Sequence, residues 1–353
     1  MQTPDRAGAH RPADHPDVPH GRVGVLLINL GSPDAPTPAA VRPYLRQFLS
    51  DPRVVELPRL AWGLLLNGFV LQTRPARTAE AYAAIWDRAA NDSPLRVITR
   101  AQADALAARF GPDIRVDFAM RYGAPGIPER LRALREAGCD RILIAPLYPQ
   151  YSSATTGTAL EEVFRAVAAE RWVPSLRTLP PYFDHPAYIA ALAEATRAQL
   201  ATLPFEPERL VMSFHGMPIS TLMKGDPYHC QCRKTARLLG EALGLADRVE
   251  VTFQSRFGPA EWLQPYTEPR LLELAAAGVR RVAVVCPGFS ADCLETLEEI
   301  AIEARDAFLA AGGTDYAYLP CLNASTAGIE MLDALVRQEL SGWLPLDGVP
   351  DPL

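Results

Sequence analysis

The sequence predicts an α/β protein of two similar halves, each with a four-stranded parallel sheet flanked by helices. The first observation is a series of short, nearly continuous apolar runs, which is typical of strands buried on both faces. The second is that helical patterns separate these runs, which indicates βαβ units. The third is the length of 353 residues, which suits two domains of about 150 residues each.

Strand and helix patterns alternate along the chain from about residue 21. The strong strand patterns cover residues 23–30, 116–120, 142–147, 210–214, 249–253 and 282–286, with weaker ones near 173–178 and 316–319. The helical patterns cover residues 37–49, 78–88, 96–109, 127–137, 187–202, 233–243 and 324–340. This alternation gives four strands to each half.

A weak internal repeat supports the division into halves. The segment 116–123 (VDFAMRYG) resembles the segment 251–258 (VTFQSRFG), and each is followed by a helical pattern, a glycine and a strand. Glycine is the expected residue just past a helix end. We therefore predict halves at residues 21–180 and 181–340. We also predict a disordered N-terminal tail at residues 1–20 and a C-terminal tail at residues 341–353.

Composition and charge exclude several classes of protein. The net charge of −6 disfavours non-specific nucleic-acid binding, because such binding needs a basic surface. Residues 1–20 lack the apolar stretch of a signal peptide, and no run of about 18 apolar residues is present to span a membrane. Six cysteines without an export signal favour a reducing compartment over a disulfide scaffold. We therefore expect a cytoplasmic protein.

Reactive side chains stand where two predicted strands end, the place where α/β sheets bind ligands. His215 directly follows the strand at 210–214. After the strand at 282–286, Glu295, Glu299 and Glu303 lie four residues apart and so share one helix face. Taken singly, the histidine is typical of a loop contact and the acids of a solvated helix start. Together they suit divalent-cation binding or proton transfer.

The known motifs of three large enzyme classes are missing from the sequence. No GxGxxG or P-loop follows a predicted strand, and no GxSxG turn is present. Dehydrogenase, kinase and hydrolase functions therefore lack support.

Seven further motifs, spread over residues 22–340, carry a family resemblance. They are residues 27–33 (LINLGSP), 93–95 (SPL), 146–152 (PLYPQYS), 213–218 (SFHGMP), 225–228 (GDPY), 253–258 (FQSRFG) with Trp262, and 290–297 (SADCLETL). With these motifs the sequence resembles the ferrochelatases, which insert Fe²⁺ into protoporphyrin IX, and in particular those of Gram-negative bacteria. The resemblance implies the class II chelatase fold, two Rossmann-like halves that hold the porphyrin between them.

The resemblance also assigns roles to individual residues. It implies that His215 and Glu295 are catalytic and contact the metal from opposite sides of the macrocycle. It implies that Asp292, Glu299 and Glu303 form a path for protons or metal, the last two on a π-type helix. The positions that match porphyrin-facing residues are Leu30, Arg121, Tyr122, Trp262 and Phe289, with Arg74 and Arg77 expected beside the propionates.

The resemblance further implies partners and a location. The partners are protoporphyrin IX and Fe²⁺, and the product is protohaem, released with two protons in the terminal step of haem biosynthesis. Residues 60–72 correspond to an apolar lip at the mouth of the cleft, which predicts peripheral contact with the inner membrane. The resemblance leaves open the oligomeric state, monomer or homodimer, and the side from which the metal enters.

Two departures from the family pattern concern cysteine. Many members have a second histidine where this chain has Cys293. Some members hold a [2Fe–2S] cluster, which needs four thiolates. Here the C-terminal part has only Cys321, and the inner cluster position is Ser152 or Ser153. We therefore expect no cluster and no other tightly bound cofactor, and interpret Cys230 and Cys232 as structural thiols.

Three other functions are weighed against iron insertion into protoporphyrin. Coproporphyrin-using members tend to have tyrosine where Leu30 stands, and cobalt chelatases of this fold usually have two active-site histidines. A two-domain protein that binds haem or metal without turnover would suit two halves around a cleft. The lack of an export signal and the acidic row inside the cleft argue against that protein.

Overall fold

The computed structural model describes Asp14, Pro19 and residues 21–112 and 114–344. The predicted tails lie outside the described residues, apart from Asp14 and Pro19 in the first and residues 341–344 in the second.

The first half contains a four-stranded parallel sheet in the order β2-β1-β3-β4. Its strands are β1 (Arg22–Gly31), β2 (Ile114–Tyr122), β3 (Cys139–Pro146) and β4 (Ser175–Thr178). Its helices are α1 (Pro38–Leu49), α2 (Arg59–Leu65), α3 (Leu71–Ile85), α4 (Pro94–Phe110), α5 (Ile127–Glu136) and α6 (Thr158–Ala168). Two π-helical segments, Leu66–Val70 and Ser153–Gly157, lead directly into α3 and α6.

The second half repeats the arrangement, with parallel strands in the order β6-β5-β7-β8. Its strands are β5 (Arg209–His215), β6 (Val249–Gln254), β7 (Arg281–Val285) and β8 (Asp315–Leu319). Its helices are α7 (Pro186–Ala201), α8 (Ile219–Met223), α9 (Tyr228–Leu243), α10 (Thr267–Ala276), α11 (Leu294–Leu297), α12 (Arg305–Ala310) and α13 (Thr326–Glu339). A π-helical segment, Glu299–Ala304, links α11 to α12. The two equivalent sheets confirm the predicted fold class.

Local sequence explains where these elements begin and which surfaces they bury. The central strand β1 is buried from Val23 to Asn29 on both faces, as its continuous apolar run predicts. Helix α4 begins at Pro94, with the Ser93 side chain accepting a hydrogen bond from the backbone N–H of Arg96. Serine at the cap and proline at the first helical position are both favoured there.

The two halves share one hydrophobic core. Leu27 of β1 and Phe214 of β5 belong to the same buried cluster, together with Leu332 and Val336 of α13. Helix α13, the last of the chain, contacts α4 and β3 of the first half as well as α7. The carboxyl ends of the two sheets are therefore held at fixed positions relative to each other.

No helix among the described residues is both long and apolar enough to cross a membrane.

Candidate active site

His215 is the last residue of β5 and pairs in register with Gln254, the last residue of β6. Its half-buried imidazole forms a hydrogen bond of 2.6 Å between Nδ1 and the carbonyl oxygen of Gly216. Because a carbonyl oxygen only accepts, Nδ1 carries the hydrogen, and Nε2 of the neutral ring keeps its lone pair. The strand end thus presents a nitrogen that can accept a proton or bind a metal.

The backbone after His215 leaves room for glycine alone. A Cβ on Gly216 would lie 2.6 Å from the Gln254 carbonyl oxygen and 3.2 Å from the Trp262 ring. The Trp262 indole is 9% exposed, and its buried Nε1 has no hydrogen-bond partner. This tryptophan therefore packs against Gly216, the residue after His215, and its contact with the porphyrin stays a prediction.

Glu295 is the second residue of α11, and its backbone is bonded to β6, the strand that pairs with the histidine strand β5. The Gln254 side-chain amide donates a hydrogen bond of 2.6 Å to the Glu295 carbonyl oxygen. Burial, followed by the Glu295 carboxylate, raises the pKa of the Tyr44 phenol on α1. The charge of Glu295 therefore acts toward the first half of the molecule.

Glu299 begins the π-helical segment and is the most perturbed carboxyl group of the acidic row. Ser255 Oγ donates a hydrogen bond to Glu299 Oε2, and Gln254 Nε2 lies 3.5 Å from the same atom. Burial first, and the neighbouring Glu295 second, raise the pKa of Glu299 to about 8. The group therefore holds its proton at neutral pH and can release it just above neutrality.

Glu303 is exposed and lies at the outer end of the row. Its backbone N–H donates to the Glu298 carbonyl oxygen five residues earlier, at 2.9 Å, which is the π-helical bond. Burial first, and Glu303 second, raise the pKa of Glu298. Glu298 was missed in the sequence because a spacing-four pattern skips it, whereas the π segment brings it beside Glu303.

A cavity of about 1040 Å³ opens between α3 and the π-helical segment. Glu298, Glu299 and Glu303 line it on one side, and Arg74 and Arg77 of α3 line it on the other. The outer part of the acidic row, from the buried Glu299 to the exposed Glu303, thus faces this cavity. Arg74 and Arg77, expected beside the propionates, are placed opposite the outer acids, next to this path.

Asp292 is not part of the row in the structure. Its carboxylate accepts hydrogen bonds from Thr296 Oγ1 (3.1 Å), Asn323 Nδ2 (2.6 Å), the Cys321 backbone N–H (3.3 Å) and the Tyr318 hydroxyl. These donors occupy both carboxylate oxygens. Asp292 therefore holds its loop to the segment after β8, and its place in a proton or metal path stays a prediction.

Arg121 and Tyr122 are both turned to a buried carboxylate, Asp51. Arg121 Nη2 and the Tyr122 hydroxyl donate to Asp51 Oδ2 at 2.7 and 2.8 Å, and the Tyr122 side chain is fully buried. Although burial raises it, hydrogen bonds from Thr158, Arg53 and Tyr122 hold the pKa of Asp51 below its usual value. The polar ends of both expected porphyrin-facing side chains are thus occupied inside the protein.

Leu30 and Phe289 are brought together across the two halves. Both are half-buried and pack against a small buried cluster of Leu95, Ala291 and Cys293. Their remaining surface is available at the carboxyl ends of the sheets. Their placement agrees with that expected of apolar cleft walls.

The predicted lip at residues 60–72 forms α2, a π-helical segment and the start of α3. Leu60, Leu64 and Phe69 are 88%, 80% and 62% exposed. Trp62 is buried, and its Nε1 donates to the Leu49 carbonyl oxygen at 2.6 Å. The exposed face of the lip is therefore made by leucine and phenylalanine.

Within the described part of the chain, no group of three or more His, Cys, Asp or Glu side chains is arranged to hold a metal ion. His215 and Glu295 remain the side chains with suitable donors at the two strand ends.

Known proteins resemble this chain over most of its length. The family model described as Ferrochelatase matches residues 22–340. The ferrochelatase of Rhizobium meliloti (strain 1021) is 55% identical over 334 residues, covering 94% of this chain and 98% of that protein. The ferrochelatase of Azoarcus sp. (strain BH72) is 56% identical over 336 residues, covering 93% of this chain and 92% of that protein.

Solved structures support the fold. SirB from Bacillus subtilis with Fe³⁺ superposes with a TM-score of 0.55 at 15% identity, covering 91% of this chain and 98% of that chain. The sirohydrochlorin chelatase SirB from Bacillus subtilis subspecies spizizenii, in complex with cobalt, superposes with a TM-score of 0.53 at 12% identity, covering 91% and 96%. With a family model that spans nearly the whole described chain and relatives above 50% identity, the chain belongs to the ferrochelatase family.

Proposed function

We propose that the chain is a lyase that inserts Fe²⁺ into protoporphyrin IX, giving protohaem and two protons in the terminal step of haem biosynthesis. Family membership supports the reaction. The observation that carries the site is the link from His215 through Gln254 to Glu295 and Glu299. Gln254 is the sheet partner of His215 and donates to the Glu295 backbone carbonyl oxygen, so the end of the histidine strand lies close to the acidic helix.

The difficulty of the reaction is that a flat porphyrin hides its nitrogen lone pairs and carries two N–H protons. A cleft that fits a bent macrocycle favours the distorted state, because catalysis follows binding of the transition state. The apolar walls Leu30, Trp262 and Phe289 supply this fit, at about 25 cal/mol for each Å² of apolar surface they cover.

His215 and Glu295 then act at the centre of the ring from opposite sides. In this proposal His215 Nε2 accepts one pyrrole proton. Glu295 accepts the second proton or binds the approaching cation. Glu299, with a pKa raised to about 8, passes protons outward toward Glu298 and Glu303. Two protons leave for each Fe²⁺ that enters, so the ring's charge is balanced.

Anaerobic metal insertion tests the proposal. Purified protein is mixed with Fe²⁺, Zn²⁺ or Co²⁺ and with protoporphyrin or coproporphyrin, and the loss of the free-porphyrin spectrum is followed. We expect iron insertion into protoporphyrin to be preferred. A chain that binds porphyrin without turnover, or that uses only coproporphyrin, contradicts the proposal.

Replacing the histidine tests its role directly. We expect His215→Ala to lose at least a hundredfold in insertion rate, because general-base catalysis contributes about 10²–10⁴-fold. Porphyrin binding, measured by fluorescence quenching, is expected to stay within a few-fold of the native value. An His215→Ala protein that is fully active would overturn the assignment.

We also propose that the enzyme works without a [2Fe–2S] cluster. At the inner cluster position of the family, the Ser153 backbone N–H and the Ser152 hydroxyl donate to Asp226 Oδ2 at 2.8 and 3.2 Å. Arg53 Nη1 donates to Ser153 Oγ at 3.0 Å. Hydrogen bonds thus already satisfy this loop. A featureless visible spectrum and the absence of acid-labile sulfide are expected, and bound sulfide contradicts the proposal.

We place the protein in the cytoplasm, in peripheral contact with the inner membrane. The six cysteines are free, which suits a reducing compartment. The exposed leucines and phenylalanine of residues 60–72 form the apolar face that contacts lipid.

A further inference from the structure

Cys293, which replaces the second histidine of many family members, is the first residue before α11. Its backbone is extended, with φ of −148° and ψ of −170°, as an N-cap residue requires. Its sulfur accepts a hydrogen bond from the Thr296 backbone N–H, and Thr296 Oγ1 accepts one from the Cys293 N–H at 3.0 Å. This reciprocal pair is a capping box in which sulfur replaces the usual hydroxyl oxygen.

The Thr296 side chain links the capping box to the rest of the second half. The Thr296 hydroxyl donates to Asp292 Oδ1 at 3.1 Å. Asp292 is in turn held by Asn323 and by the Cys321 backbone N–H, at 2.6 and 3.3 Å. The start of α11 is therefore anchored to the loop after β8 and not only to its own helix.

The sulfur atom is also enclosed on its apolar side. Cys293 is 6% exposed and packs with Leu95 of α4 and with Ala291, and Leu30 and Phe289 contact the same cluster. A thiol in such surroundings behaves as a small apolar side chain. The cap thus lies at the contact between the two halves, next to the expected porphyrin walls.

The residue that benefits is Glu295, two positions further along. Its carbonyl oxygen accepts the hydrogen bond from Gln254 Nε2 at 2.6 Å. The capping box fixes the helix start from one side, and Gln254 fixes it from β6, the strand that pairs with the one carrying His215. The capping box and Gln254 together therefore fix the position of Glu295 relative to His215.

We propose that Cys293 is a positioning residue for metal insertion: its sulfur caps the helix that carries Glu295 and is not a ligand of the metal. The proposal rests on the metal-insertion activity proposed above. It predicts that an oxygen can replace the sulfur, because serine is a better N-cap than cysteine, whereas alanine cannot.

The test compares Cys293→Ser with Cys293→Ala. We expect Cys293→Ser to keep kcat within about twofold of native, and Cys293→Ala to lose about fivefold, because a helix start without its N-cap holds Glu295 in place for a smaller fraction of the time. The KM for metal and the ratio of Fe²⁺, Zn²⁺ and Co²⁺ rates are expected to be unchanged in both. Amide hydrogen exchange at Thr296 is expected to quicken in Cys293→Ala only.

Two further variants separate capping from general loss of a buried sulfur. Thr296→Val removes the other half of the box, and its effect on kcat is expected to be non-additive with that of Cys293→Ala. Cys232→Ala removes a fully buried sulfur from α9, and is expected to insert metal at the native rate.

The outcomes that overturn the proposal are distinct. A raised KM for metal in both Cys293 variants, or a rate ratio between metals shifted by tenfold or more, makes the sulfur a metal ligand. If Cys293→Ala has the native insertion rate and native hydrogen exchange at Thr296, the sulfur does not act as the helix cap. If the native chain inserts no metal, the proposed function fails, while hydrogen exchange at Thr296 still decides whether the sulfur caps the helix.

Discussion

Glu299 keeps its proton at neutral pH because burial, and after it the Glu295 carboxylate, raise its pKa to about 8 from an ordinary value of 4.5. Between these two values the unfolded chain has lost a proton that the folded chain retains. The contribution of Glu299 to stability is therefore fully present below pH 4.5 and declines as pH rises toward 8. The raised pKa of Glu299 is thus accompanied by a loss of stability that begins above about pH 4.5 and is largely complete near pH 8.

The substitution Glu299→Gln removes this pH dependence while preserving shape. We expect the free energy of unfolding of the variant, relative to native, to rise between pH 5 and pH 8, by at most about 1.4 kcal/mol per pH unit. Urea unfolding at three pH values measures it. Ser255→Ala, which deletes a hydrogen bond that favours the ionised form, should raise the pKa of Glu299 further and extend the decline in stability to higher pH. A pH-independent difference for Glu299→Gln would contradict the prediction.

At this scale the sequence predicts part of the site. His215 and the acidic row follow from the rule that strand ends bind ligands. Gln254 and Asp51 do not, because their roles depend on hydrogen bonds to residues over 40 positions away in sequence. Asp292 and Tyr122 match family positions, yet tertiary contacts occupy their polar atoms.

Among the elements, the lip shows how little composition says about which side chains face solvent. All of its apolar residues look equivalent in the sequence, and Trp62 is the largest. The structure buries Trp62 against the Leu49 carbonyl oxygen and exposes Leu60 and Leu64. The solvent-exposed side of this segment follows from packing against α1, which the sequence pattern does not reveal.

Vesicle flotation tests the lip. We expect the double variant Leu60→Asp with Leu64→Asp to reduce co-flotation with anionic vesicles at least tenfold, because burial of each leucine in lipid contributes about 1.5–3 kcal/mol. Phe164→Asp on α6, another half-exposed apolar residue, is the matched control and should float as native does. Equal flotation of the double variant and native protein would exclude the lip as the membrane contact.

The strands were predicted more fully than the helices. Each of the eight apolar runs is a strand in the structure, because a buried parallel strand needs little besides apolar residues. The π-helical segment Glu299–Ala304 agrees with the family expectation of a π-type helix, but no local residue pattern predicts it. Helix α8, only five residues long, is too short to show a helical period.

For the whole molecule, the shared core makes the two halves one cooperative unit. Gln102 of α4 adds a polar link, since its Nε2 donates to the carbonyl oxygens of Ser290 and Asn323 at 3.1 and 3.0 Å. Both acceptors belong to loops of the second half that flank Asp292. Motion of one half against the other therefore strains the start of the acidic helix.

Replacing Gln102 tests this coupling. Gln102→Met keeps the side-chain volume but leaves the Asn323 carbonyl oxygen without a donor and the Ser290 carbonyl oxygen with only the Asn323 N–H, which costs about 1–3 kcal/mol. We expect a lower urea midpoint and a single transition, with circular dichroism and tryptophan fluorescence coinciding. Two separate transitions in the native protein would show instead that the halves unfold independently.

The π-helical segment also makes chain length a functional property of this helix. Each residue turns an α-helix by about 100°. Deleting one residue between Glu299 and Ala304 would rotate the carboxylates that precede the deletion relative to Phe308. Phe308 follows the deletion and is fully buried in the core. A substitution changes one carboxyl group of the row, whereas a one-residue deletion changes the direction of every carboxylate that precedes the deletion. A homologue with such a gap is expected to have a different reaction geometry even where it retains every acidic residue.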